Sequence, residues 1–432
     1  MTTDKTLTPR AAGDLDPGFG AQHDGKVILS LPNARDTSGE CIAEGPDGRI
    51  YVGGAVDAEG DELIHKAGLA CLRKDGTPAP EFGNDGFVIV PFAPTQDAHV
   101  RQILFLKHEG EDKILLCSVN TKNGESLLAR LHADGRLDNS FGDNGRLTIK
   151  LPSTLAQSLG LGPEQVVTAS DSGSGHCTLA DGKIYVVTEI YMPIWIAKVA
   201  VLIRLNSDGS FDTSFNKTGY VAVTNQHWGN SIINDVLVRN GKITVCGTLK
   251  GNGMVARLND DGTFDEEFAI NGFALLAGSE LTFEKLTQHS EKGVLAAGWG
   301  LSPRHGVLAC FTENGQLDPT FNGGKVLFQS FGEGSNVLLY GVGQAHGKII
   351  VSGRMGSTGG LPSFVVARYL IDGTLDLDFG HGKGWSSTQF ENHYTIANAM
   401  ALQKDGKVLV VGNSGPFSNA ALIARFLNDT QE

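Results

Sequence analysis

A short phrase that the chain repeats limits its possible folds more than any other feature. The stretch Asp134 to Leu147, DGRLDNSFGDNGRL, has relatives at Gly13 (GDLDPGFG), Asp75 (DGTPAPEFGNDG), Asp208 (DGSFDTSFNKTG), Asp261 (DGTFDEEFAING), Asn314 (NGQLDPTFNGG) and Asp372 (DGTLDLDFGHG). The seven copies place aromatics at Phe19, Phe82, Phe141, Phe215, Phe268, Phe321 and Phe379, separated by 63, 59, 74, 53, 53 and 58 residues. Between them runs a second phrase, a turn followed by an apolar run: DGRIYVGG at Asp47, EDKILLCS at Glu111, DGKIYVVT at Asp181, NGKITVCG at Asn240, EKGVLAAG at Glu291, HGKIIVSG at His346 and DGKVLVVG at Asp405. The length of 432 residues would suggest about three domains of about 150 residues each, but an internal period outranks length as a guide to architecture.

Each period holds four short runs of strand-forming residues separated by Gly, Asp and Asn turns. In the fourth period they are Ser231 to Val238, Lys242 to Thr248, Met254 to Leu258 and Gly272 to Ala277. One four-stranded antiparallel sheet per period, repeated radially, predicts an all-β fold, a seven-bladed β-propeller. The chain opens with the motif and one strand, Lys26 to Leu31, and stops after Ala421 to Leu427, where the motif would come next. The N-terminal strand therefore closes the last blade and leaves no open sheet edge. The expected domain spans residues 13–427, with residues 1–12 and 428–432 as flexible tails.

The run LDxxFGxxG before a strand, with DGKIxVxG upstream, resembles the delta-60 repeat of bacterial proteins, a family regarded as β-propellers without an assigned biochemical role. The resemblance covers about Gly13 to Leu427. It departs from the pattern at Ala79, which stands for the motif Asp, at Ala269 after Phe268, and at Cys71 and Cys310, which stand where Arg130, Arg204, Arg257, Arg368 and Arg425 occur. It implies a fold and no reaction.

The motif has a structural explanation. Asp134 and Gly135 supply a turn with positive φ, Asp138 is suited to an Asx turn, and Phe141 to anchoring the loop against its blade. The recurring Arg suits an ion pair with such an Asp in its own or the next blade. Calcium would need six to eight oxygens, and the DxDxDG loop with its distal Glu is absent, so no metal or other cofactor is expected. The six cysteines form no CxxC pair, and Cys117 and Cys246, like Cys71 and Cys310, hold equivalent repeat positions, which predicts buried free thiols.

A net charge of -13 without a basic cluster argues against nucleic acid. No secretory signal or run of 18 apolar residues occurs, which predicts no membrane insertion and a cytoplasmic location by default, with export by a signal-less route left open. A monomer is expected.

The DGK-type hairpins and the LDxxFG connections lie on one face of the disc and vary little. The opposite face takes loops as different as Leu249 to Gly253 and Leu151 to Gly175. Function on repeat scaffolds concentrates where loops vary. That face carries Tyr191, Trp195, His227, Trp228, Trp299, Arg304, His305, Arg354, Phe390, His393 and Tyr394, residue types that stack on sugars or anchor protein partners. Tyr191 and Trp195, in an apolar run, also suit a core role. The principal expectation is a non-enzymatic propeller that recognises a glycan or a protein through this face. One alternative is a metal-dependent hydrolase of lactonase type, with a site at the central channel among Arg101, Asn234, Asp235, Glu284, Lys285 and Asn398. Another is a structural module of a larger assembly. No GxSxG or HExxH motif is present.

Overall fold

The computed structural model describes residues 10–32, 34–58, 64–92, 96–151, 167–168, 175–192, 197–224, 230–276, 280–290, 293–301, 304–356, 360–391, 393–415 and 420–429. Their strands form seven separate antiparallel sheets. Blade 4 runs outward as Ser231–Arg239, Lys242–Leu249, Asn252–Asn259 and Phe273–Leu276, within a residue or two of the runs expected. Tight turns set its register, with Arg239 opposite Lys242 and Leu249 opposite Asn252. The inner strands of blades 1 to 7 are Cys41–Glu44, His99–His108, Cys177–Ala180, Ser231–Arg239, Leu281–His289, Asn336–Ala345 and Ile396–Leu402. Each packs against the next, and the last packs against the first, so the ring is closed. The closing blade joins Lys26–Leu29 to Ala421–Phe426, with Lys26 opposite Ala424 and Leu29 opposite Ala421.

The repeated motif joins blade to blade. In every blade the Phe is fully buried, and the turn glycine of the following blade sits on its ring; a Cβ on Gly209 would lie 3.2 Å from Phe141. Beside each Phe, a backbone N–H donates to the carbonyl of that next turn: Gly20 to Asp75, Gly83 to Asp134, Gly142 to Asp208, Asn216 to Asp261, Ala269 to Asn314, Asn322 to Asp372 and Gly380 to Ala12. All seven steps round the ring thus share one contact. Phe141 packs against its own blade as expected, and its ring also meets the neighbouring blade, where a Gly turn leaves room.

The recurring Arg completes the joint. The Nε–H groups of Arg130, Arg204, Arg257, Arg368 and Arg425 donate to Asp138, Asp212, Asp265, Asp376 and Asp16 of their own blades at 2.7–2.8 Å. Each guanidinium lies 4.5–5.1 Å over the motif Phe. Four of them also donate to a carbonyl of the next blade, at Ser207, Asp260, Asn428 and Lys74.

Two expectations need correction. Cys117 and Cys177 are joined as a disulfide between the second strand of blade 2 and the inner strand of blade 3, while Cys41, Cys71, Cys246 and Cys310 are free and buried. Residues 12 and 428 are also not tails: Ala12 and Asn428 are both 2% exposed and take part in the joints just described.

Candidate functional site

The inner strands carry a shared irregularity. A β-bulge falls at Arg101 in blade 2, Asn234 in blade 4, Glu284 in blade 5, Tyr340 in blade 6 and Asn398 in blade 7. In blades 4 to 7 the glycine that ends the DGKIxVxG phrase lies against it, since a Cβ on Gly247, Gly298, Gly353 or Gly412 would lie about 2 Å from a carbonyl oxygen of the bulged strand, whereas blade 2 forms its bulge opposite Ser118. A bulge re-aims a side chain at one point of a ladder. In blade 1 the inner strand is broken between Thr37 and Cys41, and Glu40 occupies that place. In blade 3 Gly175 stands there, where a Cβ would lie 2.8 Å from Arg101, and His176 follows it.

These residues surround the central channel. A cavity of about 170 Å³ is lined by Glu40, Arg101, His176, Glu284, Lys285, Tyr340 and Asn398, among others. Arg101 meets Glu40 at 2.7 Å, and His99 Nδ1 meets it at 2.7 Å on the other oxygen. Burial acts to raise the Glu40 pKa, but Arg101 and His99 outweigh it and hold the carboxyl at about 2. Opposite in sign, burial raises the carboxyls of Glu284 and Asp235 above their usual range. Burial, with Lys285 and Arg101 nearby, drives His176 well below its usual value and keeps the imidazole neutral. Lys285 Nζ lies 3.1 Å from His176 Nδ1 and 3.9 Å from Asp235. Asn234 and Asn398 donate to Phe283 O at 2.9 Å and Gly39 O at 2.8 Å, so both tie their blade to the next.

On the variable face, the side chains at blades 5 and 6 connect to the channel. Trp299 Nε1–H donates to Glu284 Oε1 at 2.9 Å. The carbonyl of Arg304 accepts from Val337 N of blade 6 at 3.0 Å, and the charges of Arg304 and Arg354 act on Tyr340, whose pKa burial raises. Arg101 Nε and His305 Nδ1 are buried atoms without a hydrogen-bond partner among the described residues. The rest of the expected face does not join this group. Tyr191 is half-buried in the blade 3 ladder, opposite Val167 and Lys198. Phe390 is 3% exposed and packs on Phe364 with ring centres 5.6 Å apart, which corrects its reading as a binding residue: the crossing from blade 6 to blade 7 folds it into the core. His393 and Tyr394 follow on that crossing, half-buried and exposed respectively. Trp195, His227 and Trp228 lie outside the described residues. Sequence reasoning missed Glu40, His176 and Tyr340.

The sequence family described as "Domain of unknown function (DUF5122) beta-propeller" matches residues 113–141, 179–215, 239–268, 294–321 and 344–379. The chain resembles a β-propeller family of unknown function. Every matched segment ends on a motif Phe, from Phe141 to Phe379, and the matches cover blades 2 to 6. No curated protein matches the chain. Among solved structures, a subtype N11 neuraminidase-like protein of A/flat-faced bat/Peru (H18N11) is 12% identical over 98% of this chain and 99% of that one, with a TM-score of 0.42. A subtype N10 neuraminidase-like protein of A/little yellow-shouldered bat/Guatemala is 10% identical over 93% and 98%, with a TM-score of 0.38. An alpha-L-arabinofuranosidase from Clostridium thermocellum is 12% identical over 55% and 80%, with a TM-score of 0.32. At these values the likenesses say nothing about what this chain does.

Proposed function

We propose that the protein is a monomeric binding propeller that takes the end residue of a glycan into its channel mouth from the variable face. One observation carries this reading: the Trp299 indole on the rim is hydrogen-bonded at 2.9 Å to Glu284 on the channel wall, which joins an aromatic surface to the polar ring below. Aromatic faces beside a few fixed polar groups suit sugars, whose rings offer apolar C–H faces and hydroxyl edges. Arg101 Nε, without a hydrogen-bond partner among the described residues, is a buried donor for such a ligand. The seven phased motif copies, four of them LDxxF, also support assigning the chain to the delta-60 repeats.

A glycan array probed with the full chain, followed by titration of the captured glycan, tests the proposal. Trp299→Ala should weaken binding about 30-fold, the loss of a hot spot worth about 2 kcal/mol. A blank array, or a Trp299→Ala variant that binds as the wild type does, refutes the glycan reading. The hydrolase alternative has weaker support: among the described residues, no three His, Cys, Asp or Glu side chains of the channel wall converge as metal ligands would.

A further inference from the structure

The joints of the ring differ in one blade, and the difference has the chemistry of a metal site. In five blades the motif Asp faces two cations. Arg comes from the third strand, and Lys from the start of the second: Lys113 lies 3.8 Å from Asp138, Lys183 3.0 Å from Asp212, Lys242 2.9 Å from Asp265, Lys348 3.2 Å from Asp376 and Lys407 3.5 Å from Asp16. Blade 1 has lost Arg and Asp together, as Cys71 and Ala79, and its remaining cation, Arg49, pairs with Asp47 instead. Blade 5 keeps the acid, Asp318, but has Cys310 in place of Arg and Gly293 in place of Lys. Among the described residues Asp318 forms no ion pair with Lys or Arg.

Those two losses bring metal-binding atoms together. The ligand atoms of His289, Cys310 and Asp318 lie within 4.8 Å of one another, with Cys310 Sγ 4.0 Å from Asp318 Oδ2. The other oxygen of Asp318 accepts from Thr320 N and Oγ, which fixes the carboxylate and turns Oδ2 toward the thiol, the atom that meets Arg in the other blades. His289 and Cys310 are 2% and 1% exposed, and His289 is held edge-on against Phe321.

We propose that blade 5 binds a single zinc ion through His289, Cys310 and Asp318, with water as the fourth ligand, and that this dication replaces the two cations lost from the joint. A nitrogen, a sulfur and an oxygen form a donor set that favours zinc over calcium or magnesium. Zinc bonds of about 2.0–2.3 Å require the three atoms to draw closer on binding than they stand here. On binding, the Cys310 thiol gives its proton to solvent. The second His and Asp cluster, His65, Asp97 and His99, is already closed by hydrogen bonds: Asp97 accepts from His65 N at 2.7 Å and from Thr121 Oγ.

Metal content of the untagged full chain, and titration with zinc and with cobalt, decide the matter. The wild type should hold one equivalent and, with cobalt, show a thiolate-to-metal charge-transfer band. Cys310→Ser should lose that band and bind at least tenfold more weakly. The double variant Gly293→Lys with Cys310→Arg restores the pattern of the other blades, so it should fold and bind no metal at this site. It keeps the test valid if Cys310→Ser is unstable. A wild type without the thiolate band, or a restored variant that still takes its equivalent of zinc, overturns the proposal.

Discussion

Arg204 is 5% exposed, and its partners include Asp212 at 2.8 Å, the Asp260 carbonyl of the next blade at 2.5 Å and the Phe215 ring at 4.8 Å. A buried pair of this kind contributes little over a well-packed apolar pair, but removal of one partner leaves the other charge without its counterion. Blade 1 illustrates the tolerated route, because Cys71 and Ala79 replace both partners. Arg204→Cys should therefore destabilise the full chain by about 3 kcal/mol in urea unfolding, moderated by Lys183, which stays 3.0 Å from Asp212. Adding Asp212→Ala should recover at least about 1 kcal/mol, a coupling typical of residues in one network. If the double variant is as unstable as the sum of the singles, the joint does not work as a charge pair.

At the scale of the strand, the bulge is what aims a side chain into the channel, and in blades 4 to 7 it is packed against a glycine that has no Cβ. On Gly353 that atom would lie 2.0 Å from Leu338 O, whereas on Gly356, later in the same strand, its nearest neighbour is Pro362 at 3.9 Å. Gly353→Ala should cost about 2–3 kcal/mol as overpacking, and Gly356→Ala less than about 0.5 kcal/mol. Equal melting temperatures for the two variants would show that the bulge yields freely. Arg101, Asn234, Glu284 and Asn398 were legible as channel residues because they stand as polar members of continuous inner strands. Glu40 and His176 were not, since their strands are interrupted where they enter, and Tyr340 reads as an ordinary core aromatic. Aligning the repeats superimposes equivalent positions, which hides contacts between unlike ones in adjacent blades. For that reason the Cys117–Cys177 link and the seat of each Phe on the next turn escaped notice. Phe390 misled in the other direction: polar neighbours in sequence do not reveal that a blade covers the ring.

At the scale of the whole molecule, seven like joints stabilise a disc only if the last one forms, and the closing contacts come from the N-terminal end. Gly13 N–H donates to Leu427 O, Leu427 N–H donates to Asp14 O, Asp16 pairs with Arg425, and Lys26–Leu29 completes the sheet of blade 7. Bringing the ends of about 400 residues together costs about 5 kcal/mol of chain entropy, which this single strand and its ion pair must offset. Deleting residues 1–31 removes them all: Arg425 loses its acid, Ala421–Phe426 becomes an exposed edge, and Phe379 loses the turn at Gly13. The truncated chain should elute as oligomers or aggregate, because an unpaired apolar strand recruits another chain. A circular permutant separates this effect from simple loss of sequence. It begins at Ala34 and carries residues 10–31 after Asp429, a short step because Leu427 already bonds to Gly13 and Asp14. With every joint restored, it should be monomeric and unfold within about 1 kcal/mol of the wild type, the scale of change expected when only a surface connection is moved. A monomeric, equally stable truncation would mean that the ring does not need its closing strand, and a permutant that fails to fold would mean that the order of the blades matters more than their closure.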